Sequence, residues 1–312
     1  MERNVTLDYF KVFLSILVII IHLQPLLEGG GNAWLLGWLL SNGIARIAVP
    51  CFFIINGYYI SNQISDGKFV KKYILRCLLL YAVWTLIYGG EYSHFSLNRT
   101  LLFLTTGFFH LWYMVALIMG TALFFCLKKL FKNDWILLCM AVLLVVSGYF
   151  VQKYGFLSIN DYSTRLTFYR NFLFVGFPFL FFGYFIRANE KKIMQFKTQF
   201  LFFLLVVSSI TLIVEACLTE GGYPYDIFLS LPVLCSSLFL LVLKYSSYSV
   251  SDGYMSKFAS GIYFVHLLVI AFVRYLLGHT SVGIIILPEV LFLSMALSAG
   301  IIALNKRMRL FL

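Results

Sequence analysis

Charge is scarce in this chain. Only 12% of its 312 residues are Asp, Glu, Lys or Arg, about half the usual share of a soluble domain. That scarcity, with 61% hydrophobic content and a mean hydropathy of +0.90, leaves more apolar surface than one soluble core absorbs. A disordered, secreted or simple cytosolic protein is excluded. No run of short alternating segments appears, so the pattern of a transmembrane β-barrel is missing. Nucleotide-binding glycine loops, zinc motifs and nucleophile elbows are also missing. The six cysteines (51, 77, 126, 139, 217 and 235) lie in or beside apolar runs without metal-ligand spacing, and they read as small packing residues. No metal site is expected.

What the chain does have is long apolar runs from end to end. Ten spans can be drawn, near 9–27, 44–61, 73–90, 111–128, 135–151, 171–187, 198–217, 226–243, 258–277 and 282–304. Each suits a membrane-crossing helix. The expected architecture is therefore all-α: a polytopic membrane bundle of about ten transmembrane helices. With no internal repeat or linker, residues 1–312 are expected to form a single domain.

Acidic residues are fewer than basic ones, 13 against 24, which gives a net charge of +11. In a soluble chain this would suggest nucleic acid, but here it follows topology. With the N-terminus inside, 16 basic residues fall on inner segments and 5 on outer ones. Cytoplasmic loops collect Lys and Arg in this way. Both termini are accordingly expected in the cytoplasm, and no nucleic-acid partner is expected.

Ionisable groups inside spans are costly in hydrocarbon and carry most of the functional signal. In the first span Lys11 and His22 are eleven residues apart. They face nearly the same way, separated by roughly 16 Å along the axis. An imidazole at that depth suits proton transfer, or a structural hydrogen bond to a neighbouring helix. Arg46, near the helix-kinking Pro50, needs a salt-bridge partner or a wet cavity. Lys68, Lys71, Lys72 and Arg76 form a basic cluster at the inner mouth. They serve as membrane anchors or as an anion site, with Arg76 the better anion ligand. Tyr263 and His266 are three apart in the ninth span, on one helical face. Glu91, Glu215 and Glu220 are the acids placed to orient an imidazole.

Taken in order, these segments resemble the integral-membrane acyltransferase 3 family, which includes bacterial surface-glycan O-acetyltransferases. The resemblance rests on Leu7-Asp8-Tyr9-Phe10-Lys11 followed by His22, and on the stretch from Val49-Pro50-Cys51 to Asn56-Gly57-Tyr58. It continues through Lys72 to Arg76 with Tyr81 and Trp84, then His110-Leu111-Trp112-Tyr113. Arg170-Asn171 with Gly176, Pro178 and Gly183, and Tyr263 with His266, complete it. Two positions depart from the family pattern. Lys11 stands where arginine is commoner, and Asn56 stands where serine is common.

The resemblance implies a multi-pass enzyme of the bacterial cytoplasmic membrane. It would transfer an acyl group, usually acetyl from cytoplasmic acetyl-CoA, to a hydroxyl of an envelope glycan or its lipid-linked precursor. Acetyl-CoA would be a co-substrate, with no tightly bound cofactor. His22 is the expected catalytic residue, as general base or as a transient acyl carrier. Lys11, Arg46, Lys72, Arg76, Arg170, Tyr263 and His266 are the expected donor- or substrate-binding residues. A transporter of lipid-linked glycan, or an acyltransferase using succinyl, is the alternative.

Overall fold

The computed structural model describes residues 2–28, 31–90, 95–155, 161–219, 225–278, 282–308 and 310–312. The chain is overwhelmingly helical. Strand β1 (Glu2–Asn4) leads into α1 (Val5–His22), α2 (Asn32–Asn42) and α3 (Ala48–Ile60). Then come α4 (Gly67–Ile87), α5 (Leu97–Thr106), α6 (Trp112–Leu130), α7 (Asp134–Tyr154) and α8 (Tyr162–Tyr169). They are followed by α9 (Phe177–Ala188), the short α10 (Glu190–Ile193), α11 (Thr198–Cys217) and α12 (Leu231–Lys244). Strand β2 (Tyr248–Val250), α13 (Tyr254–Leu277) and α14 (Gly283–Met308) end the order.

Each expected span overlaps helix, though the helix bounds differ, as at α12, which begins at Leu231 rather than at residue 226. Among the described residues, seven segments are long and apolar enough to cross a membrane: Val5–His22, Asn32–Gln63, Phe109–Leu130, Asp134–Tyr154, Thr198–Cys217, Tyr254–Leu277 and Gly283–Met308. Phe172–Ala188 and Leu231–Lys244 are shorter apolar helices. This is a multi-pass membrane protein.

Three local expectations need correction. The first helix stops at Pro25's doorstep: it ends at His22 rather than at residue 27. Proline cannot continue a helix and biases the residue before it away from helical backbone. Residues 32–42, outside any expected span, form α2. The chain also has one two-stranded sheet, in which β1 and β2 pair antiparallel with Arg3 opposite Ser249. Of the cysteines read as packing residues, Cys51, Cys77 and Cys235 are buried, whereas Cys126, Cys139 and Cys217 lie on helix surfaces.

The residues group into two compact units. The first comprises residues 1–52, 197–226 and 233–312. Here α13 packs along both α1 and α14. Gly261 lets α13 approach α14 so closely that a Cβ there would overlap the Ser298 hydroxyl. That hydroxyl donates to the Phe258 carbonyl at 2.8 Å. Ser15 on α1 donates to the Ala259 carbonyl at 2.9 Å, so small polar residues bond helix to helix where no water is at hand. Asn4 caps α1 by accepting from the Leu7 amide at 3.0 Å.

The second unit comprises residues 53–196 and 227–232. Its centre is a crossing of α3 and α9 through glycine. A Cβ on Gly57 would overlap the Leu180 carbonyl, and one on Gly183 would overlap the Ile54 carbonyl. Around them Phe124, Phe177, Phe181 and Tyr184 meet edge to face or tilted. Before α9, Phe172–Gly176 form a π-helical turn whose first amides are capped by the Asn171 side chain.

Candidate functional site

The first unit brings two histidines together. His22 is the last residue of α1, and His266 lies in mid-α13, wholly buried. Their ring centroids are 5.2 Å apart, with the planes tilted by 42°. The Nδ1 atom of His266 is 2.6 Å from the Tyr263 carbonyl oxygen. A carbonyl only accepts, so Nδ1 carries a proton, and in the neutral ring the basic lone pair sits on Nε2. The buried Tyr263 ring is 6.2 Å from that of His266. His22 and the Tyr263–His266 pair, separate signals in the sequence, thus form one cluster. An imidazole pair of this sort can accept a proton from a hydroxyl and return it.

The segment after His22 is held on several sides. Gln24 accepts from Arg274 Nη2 at 3.0 Å through its carbonyl. The carbonyls of Pro25 and Leu26 accept from the amides of Gly283 and Ile284, at 2.9 and 2.8 Å. Those are first-turn amides of α14, which have no partner inside their own helix. Gly37 on α2 admits the backbone of Leu27, whose nitrogen would sit 2.9 Å from a Cβ at that position.

Arg46 is 5% exposed and lies beside this loop's polar contacts. Its guanidinium pairs with Asp226 and donates to Asn42 Oδ1 at 2.6 Å. The same Asn42 oxygen accepts from Gln24 Nε2 at 2.8 Å. Arg46 is therefore anchored in an ionic and amide network that ends two residues from His22. Asp226, Asn42 and Gln24 were not among the residues singled out from sequence. Asp226 opens the expected span 226–243, but the structure places it ahead of α12, which begins at Leu231. Of the acids proposed to orient an imidazole, Glu215 is half-buried on α11, and Glu91 and Glu220 lie outside the described residues.

Lys11 also has defined partners. Its ammonium is 3.1 Å from Asp8 Oδ1 and 2.9 Å from Ser256 Oγ on α13, and Arg3 reaches the other Asp8 oxygen at 3.3 Å. Asp8, 2% exposed, is the buried centre of this cluster.

Lys72, Arg76 and Arg170 belong to the second unit. Lys72 is exposed on α4 next to Lys71, and Arg76 is half-buried one turn further on. The Arg170 guanidinium lies 5.5 Å from the Trp112 ring centroid, a cation–π arrangement. His110 is buried against Tyr88, with ring centroids 5.0 Å apart. Asn56 donates to Tyr113 Oη at 2.9 Å and accepts from Tyr73 Oη at 3.0 Å. The amide links α3 to α6 and α4, which accounts for its place there.

The profile of the acyltransferase domain matches residues 4–304, nearly the whole chain. This chain belongs to the acyltransferase 3 family. Among curated proteins the family member is 30% identical over 273 residues to the "Serine/alanine racemase" of Enterococcus gallinarum, a match covering 78% of this chain and 38% of that protein. Two proteins of Enterococcus faecalis named "Amino-acid racemase" are 32% identical over 133 residues and 26% identical over 159. Those matches cover 38% and 47% of this chain, and 18% and 22% of the relatives. The chain thus matches well under half the length of these relatives. No solved structure matches it.

Proposed function

We propose that this family member is an O-acyltransferase of the bacterial cytoplasmic membrane, with about ten spans and both termini inside, acting as one domain. It moves acetyl from acetyl-CoA to a hydroxyl of an envelope glycan or its lipid-linked precursor. The observation that carries the reading is the His22–His266 pair at the point where the family pattern has its first histidine. The racemase names describe proteins that extend far beyond the matched region, so they do not assign racemisation to this chain.

In this reading the Nε2 or Nδ1 lone pair of His22 takes the acceptor hydroxyl's proton as its oxygen attacks the thioester carbonyl. A C–O bond forms, the C–S bond breaks, and the departing thiolate recovers a proton from the imidazolium. His266 and Tyr263 position that ring. Lys72 and Arg76, cationic and accessible, bind the phosphates of acetyl-CoA. Lys11 and Arg46 maintain the frame through Asp8 and Asp226, and Arg170 contributes to substrate binding.

Membranes holding the wild-type protein should transfer label from acetyl-CoA to an acceptor glycan. His22→Ala should abolish transfer while the protein still inserts. Intact acetylation in His22→Ala cells, with a fall in surface glycan quantity, would overturn the enzyme in favour of a glycan transporter. An added mass matching succinyl rather than acetyl would reassign the donor.

A further inference from the structure

A cleft of about 290 Å³ opens in the first unit, lined by Gln24, Pro25, Leu26, Leu27, Trp34, Gly37, Trp38, Ser41 and Asn42. Its two tryptophans are consecutive rings on one face of α2, with centroids 6.4 Å apart and planes within 27°. Trp38 is fixed: it is 7% exposed, and its Nε1–H donates to the Ala216 carbonyl at 3.0 Å. Trp34 is 38% exposed at the mouth. Gln24, Ser41 and Asn42 add amides and a hydroxyl to the same lining. Gln24 gives one N–H to Asn42, and its inventory leaves a second N–H and an acceptor oxygen for a ligand. Ser41 Oγ donates to the Gly37 carbonyl at 2.8 Å and accepts from Asn42 Nδ2 at 3.2 Å.

The chemistry of this lining selects its occupant. Among the described residues the lining holds amides, a hydroxyl and aromatic rings and no carboxylate or cation, a chemistry suited to a neutral polar ligand. Flat aromatic faces, negative at their centres, attract the C–H-bearing face of a pyranose. Amide and hydroxyl groups in the same lining suit ring hydroxyls, and a few such groups fix orientation in otherwise apolar sites. The volume is at the bottom of the roughly 300–1,000 Å³ range for small-molecule sites. It suits a single sugar ring and is too small for a coenzyme. Gln24 follows His22 by two residues, so their Cα atoms lie within about 7.6 Å.

We infer that this cleft is the acceptor subsite: it binds one hexopyranose unit of the glycan on the Trp34–Trp38 shelf, with Gln24, two residues along the chain from the base, reading its hydroxyls. The inference rests on the proposed acyl transfer for the identity of the acceptor but is testable without it.

The test titrates detergent-solubilised protein with methyl glycosides of glucose, galactose, mannose and N-acetylglucosamine, with serine and alanine as comparison solutes. Tryptophan fluorescence is the readout. At least one glycoside should quench saturably in the wild type and in His22→Ala, and about tenfold less tightly in Trp34→Ala. Trp34→Phe, which keeps a ring, should recover most of the affinity. In the transfer assay Trp34→Ala should raise the acceptor KM about tenfold and leave the acetyl-CoA KM in place. Saturable binding of serine or alanine in place of every glycoside would overturn the inference. An unchanged acceptor KM in Trp34→Ala would also overturn it, even with transfer still dependent on His22. Glycoside binding sensitive to Trp34 without acetyl transfer would keep the subsite and remove the enzyme.

Discussion

His22 closes α1 and meets His266 of α13 with 5.2 Å between ring centroids. The two residues are 244 positions apart in sequence, and their meeting turns two isolated polar signals into one proton-handling group. His266→Ala should lower kcat for acyl transfer by about 10- to 100-fold, with the acetyl-CoA KM little changed. Because the pair acts as a unit, the double variant with His22→Ala should be no slower than His22→Ala alone. Multiplicative losses in steady-state kinetics would show that the rings act independently.

The Arg46–Asp226 pair makes a stability prediction. Asp226→Ala strands a buried guanidinium that still donates to Asn42. Breaking such a pair costs about 3–5 kcal/mol, so thermal unfolding in detergent should shift sharply downward. Replacing both residues by apolar ones, Arg46→Met with Asp226→Leu, should restore much of the loss. Equal destabilisation by the single and double variants would count against this reading.

Two glycines should respond in opposite directions to the same methyl group. Gly57→Ala drives a Cβ into the Leu180 carbonyl, so α3 and α9 must separate and the yield of folded protein should fall. Gly300, in α14, has nothing within 4 Å of a Cβ. Gly300→Ala should be neutral or stabilise by up to about 1 kcal/mol, since alanine loses less freedom on entering a helix. Size-exclusion profiles and thermal melts read both outcomes.

Asp161 carries the pH prediction. Its side chain caps α8 by accepting from the Thr164 amide at 2.8 Å, and Arg99 is 3.1 Å away. The Thr164 hydroxyl and amide, with Arg99, hold the carboxyl below its ordinary value. A carboxyl with a lowered folded pKa contributes stability above its unfolded pKa and loses it as pH falls through the folded value. Protection of the α8 amides, measured against their intrinsic exchange rates, should therefore fall as the pH drops below the usual carboxylate range. Asp161→Asn, which keeps a capping oxygen, should flatten that dependence.

The sequence pattern carried much of this arrangement. Apolar runs located the helices, and the i, i+3 spacing of Tyr263 and His266 placed them on one face. Helix ends were harder to read. Hydropathy continues through Leu23, Leu26 and Leu27, and only Pro25 marks where α1 stops. Helix α2 was hidden because Asn32–Asn42 is too short to cross a membrane and follows a glycine run. The partners of Arg46 were hidden for a different reason. Asn42 lies in that unexpected helix, and Asp226, at the start of the expected span 226–243, lies ahead of α12, which begins at Leu231, so neither sits on a helical face from which the contact can be inferred.

Strands β1 and β2 have a consequence out of proportion to their three residues each. They join the lead-in of α1 to the lead-in of α13, and Lys11 repeats the link one turn deeper through Ser256. Sliding one helix along the other by a single turn would break the strand ladder and this lysine bridge together. The far imidazoles are thus spaced as marks on two rulers clamped at their zero ends.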